Sequence, residues 1–300
     1  RDRSVSRGLG DVYKRQVKEE FLEIKEKNPD SSLDQLLYYT YQSMSIDLPF
    51  EQVKDDILSE LQIDEMEYYL KDVDPKLRSY VEENVFPLWE LNDKGHGPIH
   101  RTEVIRRIFA LNETFHLKLN PNMLFVIVSY HDVGKYIDHK RHHLIAAEKF
   151  MEDEGMKQFF TEDERKVINE AIEDHRSSKE DEPRSVYGKL ISSADRNTTI
   201  EMVFIRSFFV AKDRMPDMNM NEYLDYTVNR LKKRYGEENP ENMFFEDDVY
   251  QVFLKDMRNL LSRPDDFKNL YCSINHITDR NKNVDSYSGV VDYGKVYQKL

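Results

Sequence analysis

Apolar residues recur along this chain at intervals of three and four, the spacing of one face of an α-helix. Between Val17 and Leu88 the stripe reads Phe21, Leu22, Ile24, then Leu33, Leu36, Leu37, Tyr41, then Val53, Ile57, Leu58, Leu61. Asn28-Pro29-Asp30-Ser31 interrupts it, because proline ends a helix and Asp or Ser opens the next. Asp74-Pro75 opens another helix through Val81 to Phe86. Downstream, Val104, Ile105, Ile108, Phe109 and Leu111 form an inward stripe behind Gly95-His96-Gly97-Pro98, with Pro98 suited to a first turn. Asn120-Pro121 starts a helix that is apolar almost all round (Met123, Leu124, Val126, Ile127, Val128) and stops near Gly134. Such a helix belongs at the centre of a core. Leu144, Ile145, Ala146, Ala147 and Phe150 mark the next, closed near Gly155. Thr161-x-x-Glu164 is a capping box ahead of Val167, Ile168, Ala171 and Ile172. Val186, Leu190, Ile191 and Ala194 form the helix after that. Tyr223–Tyr235 and Val249–Leu261 are amphipathic helices before a polar tail holding Gly289 and Gly294. The pattern predicts an all-α fold.

Composition supports that reading. Ten glycines and ten prolines among 300 residues suit long regular elements rather than a turn-rich β fold. The longest strictly apolar run, Met123–Val128, is far short of the ~20 residues of a spanning helix, so no membrane role is expected. The formal charge is −13, which disfavours bulk nucleic-acid binding. The single cysteine, Cys272, has no internal disulfide partner, which suits a reducing, cytoplasmic setting. Residues 1–16 stand apart: they are net +3 and lack an apolar signal core, and they read as an adaptor-derived or disordered scar. The remainder divides into an N-terminal helical region (17–88), a central core (89–206) and a C-terminal helical extension (207–300). The terminal helices read as packing on the middle, and their amphipathic faces are equally compatible with a homodimer.

Seven of the nine histidines lie between His100 and Asp195. His100 is four residues before Val104 and eight before Ile108, on the buried stripe. His131-Asp132 ends the central apolar helix, His142-His143 opens the following one, His175 is the next step on the inward face of Ile168 and Ile172, and Asp195 is four beyond Ile191. A lone histidine on an apolar face is usually a hydrogen-bonded core residue. Four histidines and two aspartates on five consecutive helices need a common solution, since buried unpaired carboxylates are costly. A divalent cation supplies one: imidazole and carboxylate suit Zn, Fe, Mn, Co or Ni, and helical bundles build such sites from facing helices.

The ordered set His100 … His131-Asp132 … Asp195, within the stretches HGPIH, YHDVGK, HHLIAAE, EAIEDH and SSADR, resembles the HD-domain superfamily of metal-dependent phosphohydrolases over about Asp93–Arg206. The resemblance implies an all-α HD-domain bundle, here with additional N- and C-terminal helices. It implies a metal held by His100, His131, Asp132 and Asp195, and a second held with His142 (rather than His143) and His175, bridged by Asp132. A Gly-Tyr-Pro element after His175 is absent, which disfavours the cyclic-di-GMP phosphodiesterase branch. The expected substrate is a small phosphorylated metabolite, a nucleotide being the leading candidate, hydrolysed through a metal-activated hydroxide that Asp132 helps orient.

Lys135 and Arg196 flank ligands in sequence and are candidates for binding phosphate oxygens. His96, Arg101 and Arg176 are weaker substrate-binding candidates, His96 because helix starts favour anions. His116, His139 and His276 read as surface residues. The 34 Phe and Tyr residues read as core. Tyr136 and the 201–235 region are candidates to line a nucleotide pocket, though no spacing requires it. Two other readings use the same residues. One is a mixed-valent di-iron oxygenase on the same six ligands. The other is a non-catalytic regulatory or binding module, against which the complete ligand set argues.

Overall fold

The computed structural model describes residues 3–44, 50–93, 96–176, 181–215, 217–237 and 243–275, and among these every regular element is a helix. The tail glycines, His276 and Gly95 lie outside the described residues. Two compact units are present.

In its described part the first unit comprises residues 3–72 with Asn112–Lys118. It holds α1 (Arg3–Lys27), α2 (Leu33–Ser43), α3 (Phe50–Leu61) and α4 (Glu65–Leu70), of which α1, α2 and α3 pack on one another. Helix α1 carries residues 3–16 in helical form and continues without a break through Val17, Phe21 and Ile24, whose spacing places all three in the core. Leu22, one step off that face, is exposed. The break after α1 is where the sequence places it, but the cap is Ser32, paired with Gln35 in a capping box, rather than Asp30 or Ser31. Buried Lys54 answers the buried carboxylates of Glu65 (2.7 Å) and Asp34 (3.8 Å). Ser32 Oγ meets Thr114 Oγ1 at 2.7 Å, and the Tyr68 hydroxyl donates to Glu113 at 2.7 Å, which explains why 112–118 groups with this unit.

The second unit takes Val73–Leu111 and the described chain from Leu119 onward. Its helices are α5 (Pro75–Asn84), α6 (Phe86–Trp89), α7 (Pro98–Thr114, of which the last three residues belong to the first unit), α8 (Pro121–Tyr130), α9 (His142–Glu152), α10 (Glu162–Asp174), α11 (Val186–Ala194), α12 (Ile200–Arg214), α13 (Met220–Tyr235), α14 (Asp248–Leu261) and α15 (Pro264–Ile274). Asp74, Asn120 and Thr161 cap α5, α8 and α10 through their side chains, as the sequence pattern predicts. Helix α8 is buried at every position from Met123 to Tyr130, and α10 packs against α8, α9 and α11. Helix α5 packs on α8 and buries Leu77 and Val81, so the unit begins at Val73 rather than at residue 89. The 206/207 boundary falls inside α12, whose apolar face (Val203, Phe204, Phe208) runs straight through it. Around α12, helices α13–α15 bury an aromatic cluster in which Phe204 and Phe267 lie 4.8 Å apart and Phe267 stacks on Tyr271. A buried bidentate pair, Arg107 with Asp247, joins α7 to the cap of α14. Among the described residues, no helix is long and apolar enough to cross a membrane.

Candidate metal centre

Five helix ends converge in the second unit. His100 projects from the first turn of α7, His131 is the C-cap of α8 with Asp132 just beyond, His142 is the first residue of α9, His175 the C-cap of α10 and Asp195 the C-cap of α11. Helix ends leave chain free to turn, so short side chains at five such points can reach one small volume. Asp132 sits in the middle and divides its oxygens. Its Oδ2 lies 3.7 Å from His100 Nε2 and 3.9 Å from His131 Nε2, while its Oδ1 lies 3.3 Å from His142 Nε2 and 3.6 Å from His175 Nε2. Asp195 Oδ1 joins the first side, 3.0 Å from His100 Nε2 and 3.9 Å from His131 Nε2. Two sets of metal-competent residues result, His100–His131–Asp132 and Asp132–His142–His175, all six side chains being buried except that of Asp195, which is 18% exposed. His143, the alternative to His142, stands outside both sets.

The ring orientations are fixed by local backbone. The Nδ1 atoms of His131, His142 and His175 each contact the carbonyl three residues earlier, at 2.7, 2.8 and 2.7 Å. A carbonyl only accepts, so Nδ1 carries the proton and Nε2 turns a lone pair inward. His142 Nε2 and His175 Nε2 then face each other at 3.1 Å, two acceptors with no proton between them. Buried His100 Nε2, His131 Nε2 and Asp195 Oδ1 have no hydrogen-bond partner either. Buried polar atoms are rarely left so, and a cation at the focus of these donors resolves the conflict. Nitrogen and oxygen donors without thiolate suit Mn, Fe, Co, Ni or Zn.

The electrostatics favour ligation. Burial drives the His131 imidazole down to about 4, burial with Arg206 nearby does the same to His100, and burial with His175 takes His142 to about 3. The rings are thus neutral, as ligands must be. Burial would raise the carboxyl of Asp132, but the Lys135 ammonium, 3.0 Å from Oδ2, is the leading influence that holds it well below the usual carboxylate range. Gly134 is required beside the doublet. A Cβ there would meet the His142 carbonyl oxygen at 2.6 Å and Ile145 Cβ at 2.8 Å.

A cavity of about 210 Å³ opens on this centre, lined among others by His142, His175, Asp195, Lys135 and His96. Of the other candidates, Arg176 lines it and donates to the Lys140 carbonyl at 2.5 Å. Arg196 is buried but outside the lining, and Arg101 lays its guanidinium over the Phe86 ring at 3.7 Å instead. Tyr136 is exposed, whereas the 201–235 region does contribute, through Val203, Arg206, Ser207, Arg230, Leu231, Arg234 and Tyr235. His96 is buried, with Nδ1 held 2.8 and 2.9 Å from the Asp93 carboxylate, and burial takes its imidazole to about 4.

Sequence reasoning passes over several residues here. His139, read as a surface residue, is exposed yet lines the cavity with its ring 5.8 Å from that of His96. Asn92 staples the two ligand-bearing loops, donating to the His96 and Asp132 carbonyls at 3.0 and 3.1 Å and accepting from Tyr136 N–H at 3.0 Å. Trp89 packs on His131 at 5.2 Å and donates to the Ser129 carbonyl at 2.8 Å. Arg206 donates to Asn197 Oδ1 at 2.9 Å beside His100. Only the cation types among these carried any signal, and their places depend on helices far apart in sequence.

A scan against protein-family models finds no match to this chain, and searches of curated proteins and of solved structures find none either.

Proposed function

We propose that this chain is a metal-dependent phosphohydrolase of the HD-domain kind, acting on a small phosphate ester of the nucleotide class. The observation that carries the reading is Asp132, which presents one oxygen to His100 and His131 and the other to His142 and His175. That is the donor arrangement for two adjacent divalent ions. When bound, such ions lower the pKa of a water and neutralise charge on phosphoryl oxygens, the two obstacles to phosphate-ester hydrolysis.

The chain's own groups fit the rest of the task. Asp132 and Asp195 supply the negative charge that holds cations in a buried place. Lys135 reaches the cavity from three residues beyond Asp132 and offers its ammonium to a phosphoryl oxygen. Arg206, oriented by Asn197, offers a second cation beside His100. Asp93 fixes the proton of His96 on Nδ1, which leaves Nε2 an acceptor. The cations around the cavity favour a phosphate over dioxygen as the reacting partner, and so favour this reading over a di-iron oxygenase on the same ligands.

The test is a panel of phosphorylated metabolites and nucleotides offered to protein loaded separately with Mn, Fe, Co, Ni or Zn, reading released phosphate, with oxygen uptake measured alongside. Phosphate release with at least one metal, abolished by chelation, is the expected result. Oxygen consumption without phosphate release in the iron-loaded protein would replace this reading with the oxygenase.

A further inference from the structure

We propose that Ser207 of α12 selects the substrate of this centre by hydrogen bonding a hydroxyl group on its esterified alcohol. The inference rests on the phosphohydrolase reading and narrows its substrate class to phosphate esters of sugars and other polyols, the ribose of a nucleotide among them.

Three uncharged polar side chains other than histidine line the cavity: Asn197, Ser207 and Tyr235. Two of them are engaged with each other, since Asn197 donates to the Tyr235 hydroxyl at 3.3 Å while its Oδ1 accepts from Arg206 at 2.9 Å. Ser207 is different. It is only 5% exposed, and among the described residues its hydroxyl meets no hydrogen-bond partner. Other buried helical hydroxyls are answered locally: those of Thr40, Ser129 and Ser193 donate to the carbonyl four residues earlier, at 2.8, 2.6 and 3.0 Å. Ser192 is buried and lacks a described partner too, but it lies outside the lining. Ser207 thus combines an unanswered hydroxyl with a place on the cavity wall.

Its position along α12 puts that hydroxyl within reach of a substrate held at the metal centre. Val203, four residues earlier and so on the same face, lines the cavity as well. Arg206, the residue before Ser207, lies 3.5 Å from His100 Nδ1, so this stretch of α12 stands beside the centre. Val203 and Leu231 are the aliphatic side chains of the lining. A hydroxyl beside aliphatic groups suits a sugar, which presents C–H and O–H groups together. A substrate hydroxyl both donates and accepts, so it satisfies Ser207 whichever way the serine turns. A substrate without that group displaces water from Ser207 and strands its oxygen, which is how a polar site rejects an analogue.

Calorimetric titration of zinc-loaded full-length protein tests this without turnover. The probes are two phosphonates in which a methylene replaces the ester oxygen, so neither can be hydrolysed. One mimics ribose 5-phosphate; the other mimics pentyl phosphate, with the same number of carbons and no hydroxyls. The readout is the ratio of their dissociation constants. S207A, which removes the hydroxyl and suits a helix, should shift that ratio against the ribose probe by about tenfold. S192A removes a buried hydroxyl outside the lining and should leave the ratio within about twofold of wild type. A ratio unchanged in S207A, or shifted as far in S192A, overturns the proposal. Binding of neither probe by wild type overturns it together with the phosphate-ester reading. Phosphate release from esters with an unchanged ratio in S207A would sink the role of Ser207 alone. The expected shift without hydrolysis of any ester would sink the hydrolase reading alone.

Discussion

Arg107 and Asp247 form a buried ion pair in the same unit as the His/Asp centre, and the two differ in how their polar atoms are answered. Both oxygens of Asp247 receive guanidinium donors, and Oδ1 also accepts from Tyr250 N–H. The two carboxylate oxygens are thus fully answered, and the pair pins α7 to the start of α14. At the centre, His100 Nε2, His131 Nε2 and Asp195 Oδ1 lack donors or acceptors, and two histidine lone pairs oppose each other at 3.1 Å. Burial is common to both places, so burial does not mark function. What distinguishes the centre is incomplete pairing aimed at one point, which folding alone gives no reason to assemble.

The contrast can be broken experimentally, starting with its strongest consequence. Asp132→Ala should lower metal affinity by more than the ~10–100-fold that losing an outer partner of a ligand costs, because both halves of the centre lose their shared ligand. Far-UV circular dichroism should stay at the wild-type level, since no helix depends on that carboxylate. Metal retained at wild-type stoichiometry would refute the assignment. Arg107→Ala should act in the opposite way, lowering stability to urea by about 3–5 kcal/mol by stranding Asp247, with metal per folded chain unchanged. A loss of metal in proportion to stability would show the two places to be one system. His142→Ala combined with His175→Ala should reduce metal from two ions per chain toward one, as counted by elemental analysis. An unchanged count removes the second ion and turns attention to His143.

The mildest effect concerns pH. His96, His100 and His131 are held near 4 and His142 near 3, all below the ordinary 6.5. Between these values the unfolded chain binds more protons than the folded one, so stability is full above about 6.5 and drains as pH falls toward 4. Metal-free protein should show its steepest drop in Tm in that window. A flat Tm across it would mean that these rings are not buried in neutral form.

The helices were legible because their punctuation is local. Asp74-Pro75, Asn120-Pro121 and Thr161-x-x-Glu164 act through groups within three residues of one another, and each caps a helix where expected. His100, His175 and Asp195 were legible because an inward face repeats every three or four residues, and His131-Asp132 because they close an apolar helix, whereas the choice of His142 over His143 came from the family resemblance alone. Adjacency in sequence misled elsewhere. Arg101 follows His100 and Arg196 follows Asp195, but successive residues on a turning backbone point apart, and neither reaches the cavity. Lys135, three residues from Asp132, does. Arg206, Arg230 and Arg234 sit in ordinary amphipathic helices, and only the packing of α12 and α13 gives them a common target. His139 lies in a loop, where no periodicity announces direction.

Trp89 is the sole tryptophan of the chain, and its fully buried indole packs against the His131 ring. The protein thus contains its own optical reporter at the edge of the centre. Paramagnetic ions such as Mn, Co, Ni or Fe, arriving within a few ångströms of an excited indole, quench its emission, whereas closed-shell Zn lacks the unpaired electrons to do so. A fluorescence titration on unlabelled protein would then count the ions and sort them by electronic character in one measurement.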